Sequence, residues 1–523
     1  MKGFTQLALL AASATLGQAA FREGCADAPW DSDTDFFLTK FEKGPSNPFF
    51  AQYNKTYVTI RNRQHRYVVL YCSKDPPPTS IVGESALVIK APVKNVAALD
   101  GFSQNLIEML GMSTSIKRTG VYSDVTSSCI RGNMKDNITF DDDEWDKAPE
   151  VDVTFYGDTA KPDSKKVLIY NVGNYAPLAQ LGYIKFVSMF FGMEELGQKI
   201  YDEIAANYRC AAAQVQQAIE DGTYPTGAFI SPIRKDGDKF TVFQSPWWST
   251  ILSDAGSALV NVSADGEASG KGNPTKPELV TIDANSQGNN FAEKSWAIID
   301  TTQYDQLPGK SAPKTLPEST RITADTYTSR SGASSASYAV KNNNVWLTDK
   351  AANRNRRHNF FDRGSARPDQ VIRDIISIVS PSFLPEYTNM FIRSVSKPDD
   401  MIALRRFTHT CAQKGKALET LNLTKCDAPA WLTGYHDSGL KPNAYRSVDQ
   451  ADSLALRASS SGLSGGQKAG IAVGSVVGFL LIAAAAGFGI YKCRRSRADD
   501  KNAKKREMDQ VEKGSVSSRS THK

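Results

Sequence analysis

The sequence predicts an α/β protein in which two strand-and-helix sections flank one long helix. A small β section precedes them and a single membrane-spanning helix follows. Three observations carry this. Short apolar β-type runs alternate with helical patterns from Ala86 onward, which argues for α/β units on a largely parallel sheet. Between two such units, Leu196, Ile200, Ile204, Tyr208, Ala212, Val215 and Ile219 recur every three or four residues, giving one apolar helical face. Near the C-terminus, Ala469–Tyr491 is a run of 23 residues without a charge, and about 20 helical residues span a hydrocarbon core.

In chain order, residues 1–20 carry a basic Lys2, an apolar stretch around Leu7–Ala12 and small residues Gly17, Ala19 and Ala20, the pattern of a secretory signal peptide. Residues 21–80 form an N-terminal β-rich section, where Phe49–Ile60 and Tyr67–Cys72 read as an antiparallel pair ended by KDPPP (Lys74–Pro78). Residues 81–182 form the first α/β unit. Its strands are expected at Leu87–Ile89, Val96–Leu99, Gly120–Tyr122, Val151–Phe155 and Val167–Ile169, and a helix over Ser103–Leu110 is opened by Asp100 and Ser103. The connecting helical span is 183–222. Its amphipathic part, Glu194–Asp221, is long enough for ~42 Å of helix at 1.5 Å per residue, and Gly222 and Pro225 end it.

Residues 223–395 form the second α/β unit. Strands are expected at Gly227–Ser231, Phe240–Phe243, Trp296–Asp300, Tyr338–Val340 and Val345–Thr348, with helices within Gln244–Ala255 and at Asp369–Val379. Residues 396–448 are an extension containing Cys411 and Cys426, and 449–468 are a Ser/Gly stalk ending in SSSGLSGGQK. The membrane helix is 469–491, and 492–523 are a basic tail.

Lys492, Arg494, Arg495 and Arg497 directly follow the span, which puts the tail in the cytoplasm and the N-terminus outside. This is the expectation of a type I single-pass protein of the cell surface or a secretory-pathway membrane. The tail holds 11 Lys/Arg against 5 acids, accounting for the whole net charge of +6. The remainder is neutral, so no nucleic-acid partner is expected, and the basic tail suits anionic lipid. Sequons at Asn54, Asn137, Asn261 and Asn422 mark candidate glycosylation sites. Cys25, Cys72, Cys129, Cys210, Cys411 and Cys426 are even in number and exterior, which suits disulfides. Their connectivity stays open, with Cys411–Cys426 the favoured pair because it closes a short loop. Cys493, at the inner membrane edge, is a palmitoylation candidate. Gly470, Gly474 and Gly478 fall on one face of the span and offer a homodimer contact.

The ordered segments VKNVAALDGFSQNLIEMLGM (Val93–Met112), APEVDVTFYG (Ala148–Gly157), YIKFVSMFFGMEELGQKIYDEI (Tyr183–Ile204), SPWWSTILSDAGSALV (Ser245–Val260), YAVKNNNVWLTD (Tyr338–Asp349) and GSARPDQVIRDIISIVSP (Gly364–Pro381) resemble the ABC-transporter substrate-binding proteins of the cobalamin, ferric-siderophore and heme class. The resemblance covers roughly residues 81–385 and is close to eukaryotic, membrane-anchored relatives of that family. It implies two Rossmann-like lobes joined by a rigid helix, with a small ligand, an iron chelate or related solute, held between them. Bacterial members deliver cargo to a permease; this chain carries its own span and tail, so that hand-over does not transfer.

With the rule that α/β sheets bind ligands beyond the carboxyl ends of strands, the resemblance points to Asp100, Tyr122 and Tyr156 in the first unit. In the second it points to Trp247, Trp248, Thr301 and Tyr304. Arg354, Arg356, Arg357, Arg363 and Arg367 crowd one segment. Guanidinium forks match carboxylates and phosphates, which adds Arg363 and Arg367 to the ligand-binding candidates; the bland reading is a solvated charged loop. Aromatic rings suit a flat or chelating ligand, and packing is the competing role. No G-x-S-x-G, H-E-x-x-H or P-loop pattern occurs, so an enzyme is not the expectation. No metal site is expected, and the cofactor question stays open. The leading expectation is a surface solute-binding protein. The alternative is an adhesion or signalling receptor that keeps the fold without solute binding, followed by a secretory-pathway enzyme.

Overall fold

The computed structural model describes residues 21–404 except 42–47, 63–66, 128, 133–137, 141–149, 158–165, 170–174, 238, 261–278, 284–294, 305–320, 336 and 399–400. The expected signal peptide, stalk and tail, the apolar run 469–491, Cys411, Cys426 and three of the sequons lie outside the described residues. Among the described residues, no helix is long and apolar enough to cross a membrane.

The N-terminal section is a four-stranded sheet of β1 (Phe49–Tyr53), β2 (Tyr57–Asn62), β3 (Tyr67–Tyr71) and β4 (Leu87–Lys90), in that order. The run read as one strand, Phe49–Ile60, is broken by a turn in which Asn54 N–H donates to Tyr57 O at 2.8 Å. The β section also extends further than expected. Strand β4 pairs parallel with β3, from Val68 opposite Leu87 to Tyr71 opposite Lys90, so it belongs here and not to the first α/β unit. Cys25 is disulfide-bonded to Cys72, tying the N-terminal segment to the end of β3. Cys129 and Cys210 are also disulfide-bonded.

The second sheet has five strands, β5 (Val96–Ala98), β6 (Ile116–Thr119), β7 (Thr139–Phe140), β8 (Val153–Tyr156) and β9 (Lys166–Leu168), in the order β7-β6-β5-β8-β9. Every pairing in it is parallel. The expected strand at Gly120–Tyr122 lies just past β6, where the chain has left the sheet and Tyr122–Asp124 forms a 3-10 turn. The helix Gly101–Met109 follows β5, and Asp100 caps it by accepting from Ser103 N–H at 2.9 Å, as the sequence suggests.

The third sheet is mixed, ordered β13 (Leu279–Asp283), β11 (Lys239–Phe243), β10 (Phe229–Asp236), β14 (Ala297–Asp300), β15 (Val345–Leu347), β17 (Arg393–Ser394), with β12 (Ala258–Leu259) also on β10. Strands β10, β14 and β15 run parallel. The tight connection around Gly237, at φ +58, forces β11 to return antiparallel to β10, because only antiparallel neighbours can be joined by so short a turn. A short parallel pair, β16 (Ala351–Ala352) with β18 (Ile402–Ala403), completes the strands. Tyr338–Val340, read as a strand, lies in a helical turn, Tyr338–Lys341, capped by Ser337; three apolar residues do not distinguish the two periods.

Between the parallel and mixed sheets lies the long helix, Glu194–Glu220, 27 residues. The expected single span 183–222 is two helices, since Gly192 adopts φ +66 and ends Tyr183–Phe191 before the long helix begins. Ile200, Ile204, Tyr208, Ala212 and Val215 are buried on its apolar face. It packs against both Tyr183–Phe191 and Pro368–Val379. Close approach to the former needs Gly197, where a Cβ would lie 2.3 Å from Ser188 Oγ.

Candidate functional site

The carboxyl ends of β5 and β6 lead into Asp100 and the 120–126 loop, and a distant segment of the chain meets them there. This segment, 353–363, follows β16 and ends in a π-helical turn, Phe360–Gly364; such turns are frequent at functional sites. Asn353 Nδ2 donates to Ser123 O at 2.8 Å and to Val125 O at 2.9 Å. Thr126 Oγ1 lies 2.9 Å from Asn359 Oδ1 and 2.8 Å from Asp362 Oδ2. Arg131 donates to Val125 O at 3.1 Å and reaches Asn355 Oδ1 at 3.5 Å. The segment holds its own shape through Asn353 Oδ1, which accepts from Asn355 N–H at 2.8 Å and Arg357 N–H at 3.0 Å.

Asp362 is buried, with a side chain 1% exposed. Its carboxyl lies against Gly101, where a Cβ would stand 2.0 Å from Asp362 Cγ. Only glycine leaves room for that approach. Burial pushes the Asp362 carboxyl up to about 6; Arg357 at 3.8 Å and Thr126 oppose this, while Asp100 and Asp124 add to it. Asp100 is likewise raised by burial, against the hydrogen bonds from Ser103. The result is a contact between two parts of the chain more than two hundred residues apart, joined by side-chain hydrogen bonds.

The sequence-predicted residues divide into two groups. Asp100 and Tyr122 reach this face: the Arg131 guanidinium lies 5.0 Å from the Tyr122 ring centroid. Tyr156 ends β8 beside Gly157, whose Cβ would stand 3.7 Å from the Asp100 side chain. Arg363 follows Asp362 directly; burial lowers its pKa, with Glu108 opposing. The others are engaged elsewhere. Trp247 and Trp248 are each 5% exposed, and Phe360 stacks on Trp248 at 5.6 Å between centroids. Tyr304 donates to Asp300 Oδ2 at 2.6 Å, a carboxylate also bonded by Thr302 and Tyr327. Arg367, 1% exposed, grips Asp369 with two bonds at 2.8 and 2.9 Å. Thr301 is buried and donates to Ile233 O at 2.8 Å. Asn54, the described sequon, lies in the β1–β2 turn. Among the described residues no cluster of His, Cys, Asp and Glu is arranged to hold a metal ion.

Sequence reasoning missed Thr126, Asn353, Asn355, Asn359 and Asp362. An Asn/Asp-rich stretch between a strand and a helix reads as a loop, and nothing local shows that it docks across the molecule.

No family model matches the sequence, and no curated protein matches it. Solved structures do resemble it. A periplasmic heme-binding protein from Pseudomonas aeruginosa is 8% identical with a TM-score of 0.38, covering 55% of this chain and 94% of that one. The periplasmic vitamin B12 binding protein BtuF of Vibrio cholerae is 10% identical with a TM-score of 0.36, covering 55% and 98%. The siderophore-binding protein FhuD from Vibrio cholerae, solved with Fe3+–Desferal, is 13% identical with a TM-score of 0.35, covering 55% and 99%. These neighbours are binding proteins for small solutes. Likeness at these identities and scores assigns no ligand to this chain and no role to its residues.

Proposed function

We propose that this chain is a surface-displayed, single-pass solute-binding protein that takes a small ligand at the face between Asp100, Tyr122 and segment 353–363. The observation that supports it is the chemistry of that contact. It lies at the carboxyl ends of parallel strands, where α/β sheets receive ligands, and side-chain hydrogen bonds of Asn353, Asn359 and Asp362 cross it. A polar contact can open because water re-satisfies both sides, and such interfaces within a chain move by default. The apolar core around the long helix also takes in Phe102, Leu106 and Phe360 beside this contact.

The sequence resemblance makes a ferric chelate the first ligand to test. Intrinsic fluorescence is a suitable readout, because Trp248 stacks on Phe360 at the base of the segment. Titrating the full-length protein with ferric siderophore, heme and cobalamin should give saturable quenching with one of them. Arg363→Lys, which keeps the charge but loses the guanidinium fork, should weaken that binding more than it lowers the melting temperature. Linear, non-saturating quenching by all three would reject this ligand class.

A second reading, a recognition receptor whose inter-sheet face stays shut, is supported by the close seat of Asp362 on Gly101. It predicts no saturable binding and no change in the exchange protection of residues 353–363 with any solute.

A further inference from the structure

The hydrogen-bond count at Thr126 is short by one proton. Its hydroxyl carries a single hydrogen, yet Oγ1 has two acceptor oxygens within bonding distance, Asn359 Oδ1 at 2.9 Å and Asp362 Oδ2 at 2.8 Å. With Asn359 presenting Oδ1 to Thr126 and Asp362 ionised, one of these contacts has no hydrogen in it; an amide turned to present Nδ2 would supply one instead. With Asp362 protonated, its O–H donates to Thr126 Oγ1 and Thr126 donates to Asn359, so the chain is complete.

Burial is the largest influence raising the Asp362 carboxyl, and the charges that face it are divided. Arg357 on its own segment stands 3.8 Å away, while Asp100 at the helix cap and Asp124 in the 122–124 turn both oppose its ionisation. Glu108, on the helix that Asp100 caps, is engaged by Ser127 and lies toward Arg363. The two facing carboxylates thus add to burial, against Arg357 at 3.8 Å, and Asp362 is packed directly on Gly101.

We propose that residues 353–363 are a proton-dependent latch: seating the segment on the 101–109 helix and the 122–126 loop takes up a proton on Asp362, so the contact is held in acid and released toward neutral pH. The latch is a property of the contact itself; only its consequence, that solute gains access as the latch releases, rests on the proposed function.

The sign follows from linkage. The seated carboxyl titrates at about 6 and has a reference value of 3.8. Seating is therefore fully favoured below the reference value, and that advantage is lost as pH rises through the seated one. The ratio of released to seated segment rises by about 100-fold across that window. Asp100, also raised by burial, adds to the effect if release exposes it.

The test is hydrogen–deuterium exchange of the full-length protein without solute, at pH 5 and pH 7.5, corrected for intrinsic exchange. Peptides covering 353–363 and 121–127 should lose protection between pH 5 and pH 7.5 by about 10-fold, the part of the full change that lies above pH 5, while the 194–220 helix does not change. Asp362→Asn, whose amide supplies a permanent donor, should be as protected at pH 7.5 as the wild type is at pH 5. Gly101→Ala, which wedges a methyl against Asp362, should release the segment at both pH values. Equal wild-type protection at the two pH values overturns the latch whatever the variants do, and so does a pH dependence undiminished in Asp362→Asn. Neither outcome bears on whether a solute binds.

Discussion

Replacing Glu194 by Gln should make the protein more stable at neutral pH and leave it nearly unchanged in acid. Glu194 opens the long helix and is 0% exposed, and neither carboxyl oxygen has a hydrogen-bond partner among the described residues. Burial pushes its pKa from 4.5 up to about 8, and its own backbone N–H offsets only part of that. The folded state therefore holds a proton that the unfolded chain releases above pH 4.5. For an acid shifted upward, stability is full below the unfolded value and is lost as pH rises to the folded one. The slope is about 1.4 kcal/mol per pH unit, which gives about 3 kcal/mol lost between pH 4.5 and pH 7. Gln has nearly the same shape and no titration, so the stability of Glu194→Gln minus that of the wild type should grow by that amount over the interval. Equilibrium chemical denaturation of the intact, disulfide-bonded protein, followed by tryptophan emission at each pH, measures it. A difference that stays constant from pH 4.5 to pH 8 would show that the carboxyl is partnered or hydrated in solution.

Two further outcomes are expected. Ile204→Asp places an unpaired charge at a fully buried position of the long helix and should cost about 4 kcal/mol or more; a neutral effect in the same denaturation assay would mean that this face is exposed. Glycosidase treatment should increase the gel mobility of protein made in a eukaryotic secretory host, and an unchanged band together with alkylatable Cys25 and Cys72 would reject the exterior placement of residues 21–468.

The long helix was legible because seven apolar residues at helical spacing define it over many turns, and the expected Glu194–Asp221 differs from the observed helix by one residue. The Asp100 cap was legible for a similar reason, as a local signal with a local cause. What failed was either too short or too distant. The three apolar residues at Tyr338–Val340 fit a strand as well as a helical turn. Strand β4 was assigned to the wrong section because its partner is chosen by register with β3, not by its own residues.

At the candidate site, arginines were visible as a cluster, but not the acids that engage Arg357 and Arg367. The Trp247–Trp248 pair looks the same in sequence whether a ligand or Phe360 covers it. Thr126 and Asp362 are bonded across 236 residues of chain, a separation at which no periodicity or motif speaks.

The central claim is that the contact between Asp100, Tyr122 and residues 353–363 belongs to a solute-binding protein. Native mass spectrometry of the full-length protein, as it is isolated from its native source, tests this most directly. The account predicts a one-to-one small-molecule adduct that is present in the wild type and reduced in Arg363→Lys. A bare protein mass across preparations, with no adduct after incubation with ferric chelates, heme or cobalamin, would contradict it.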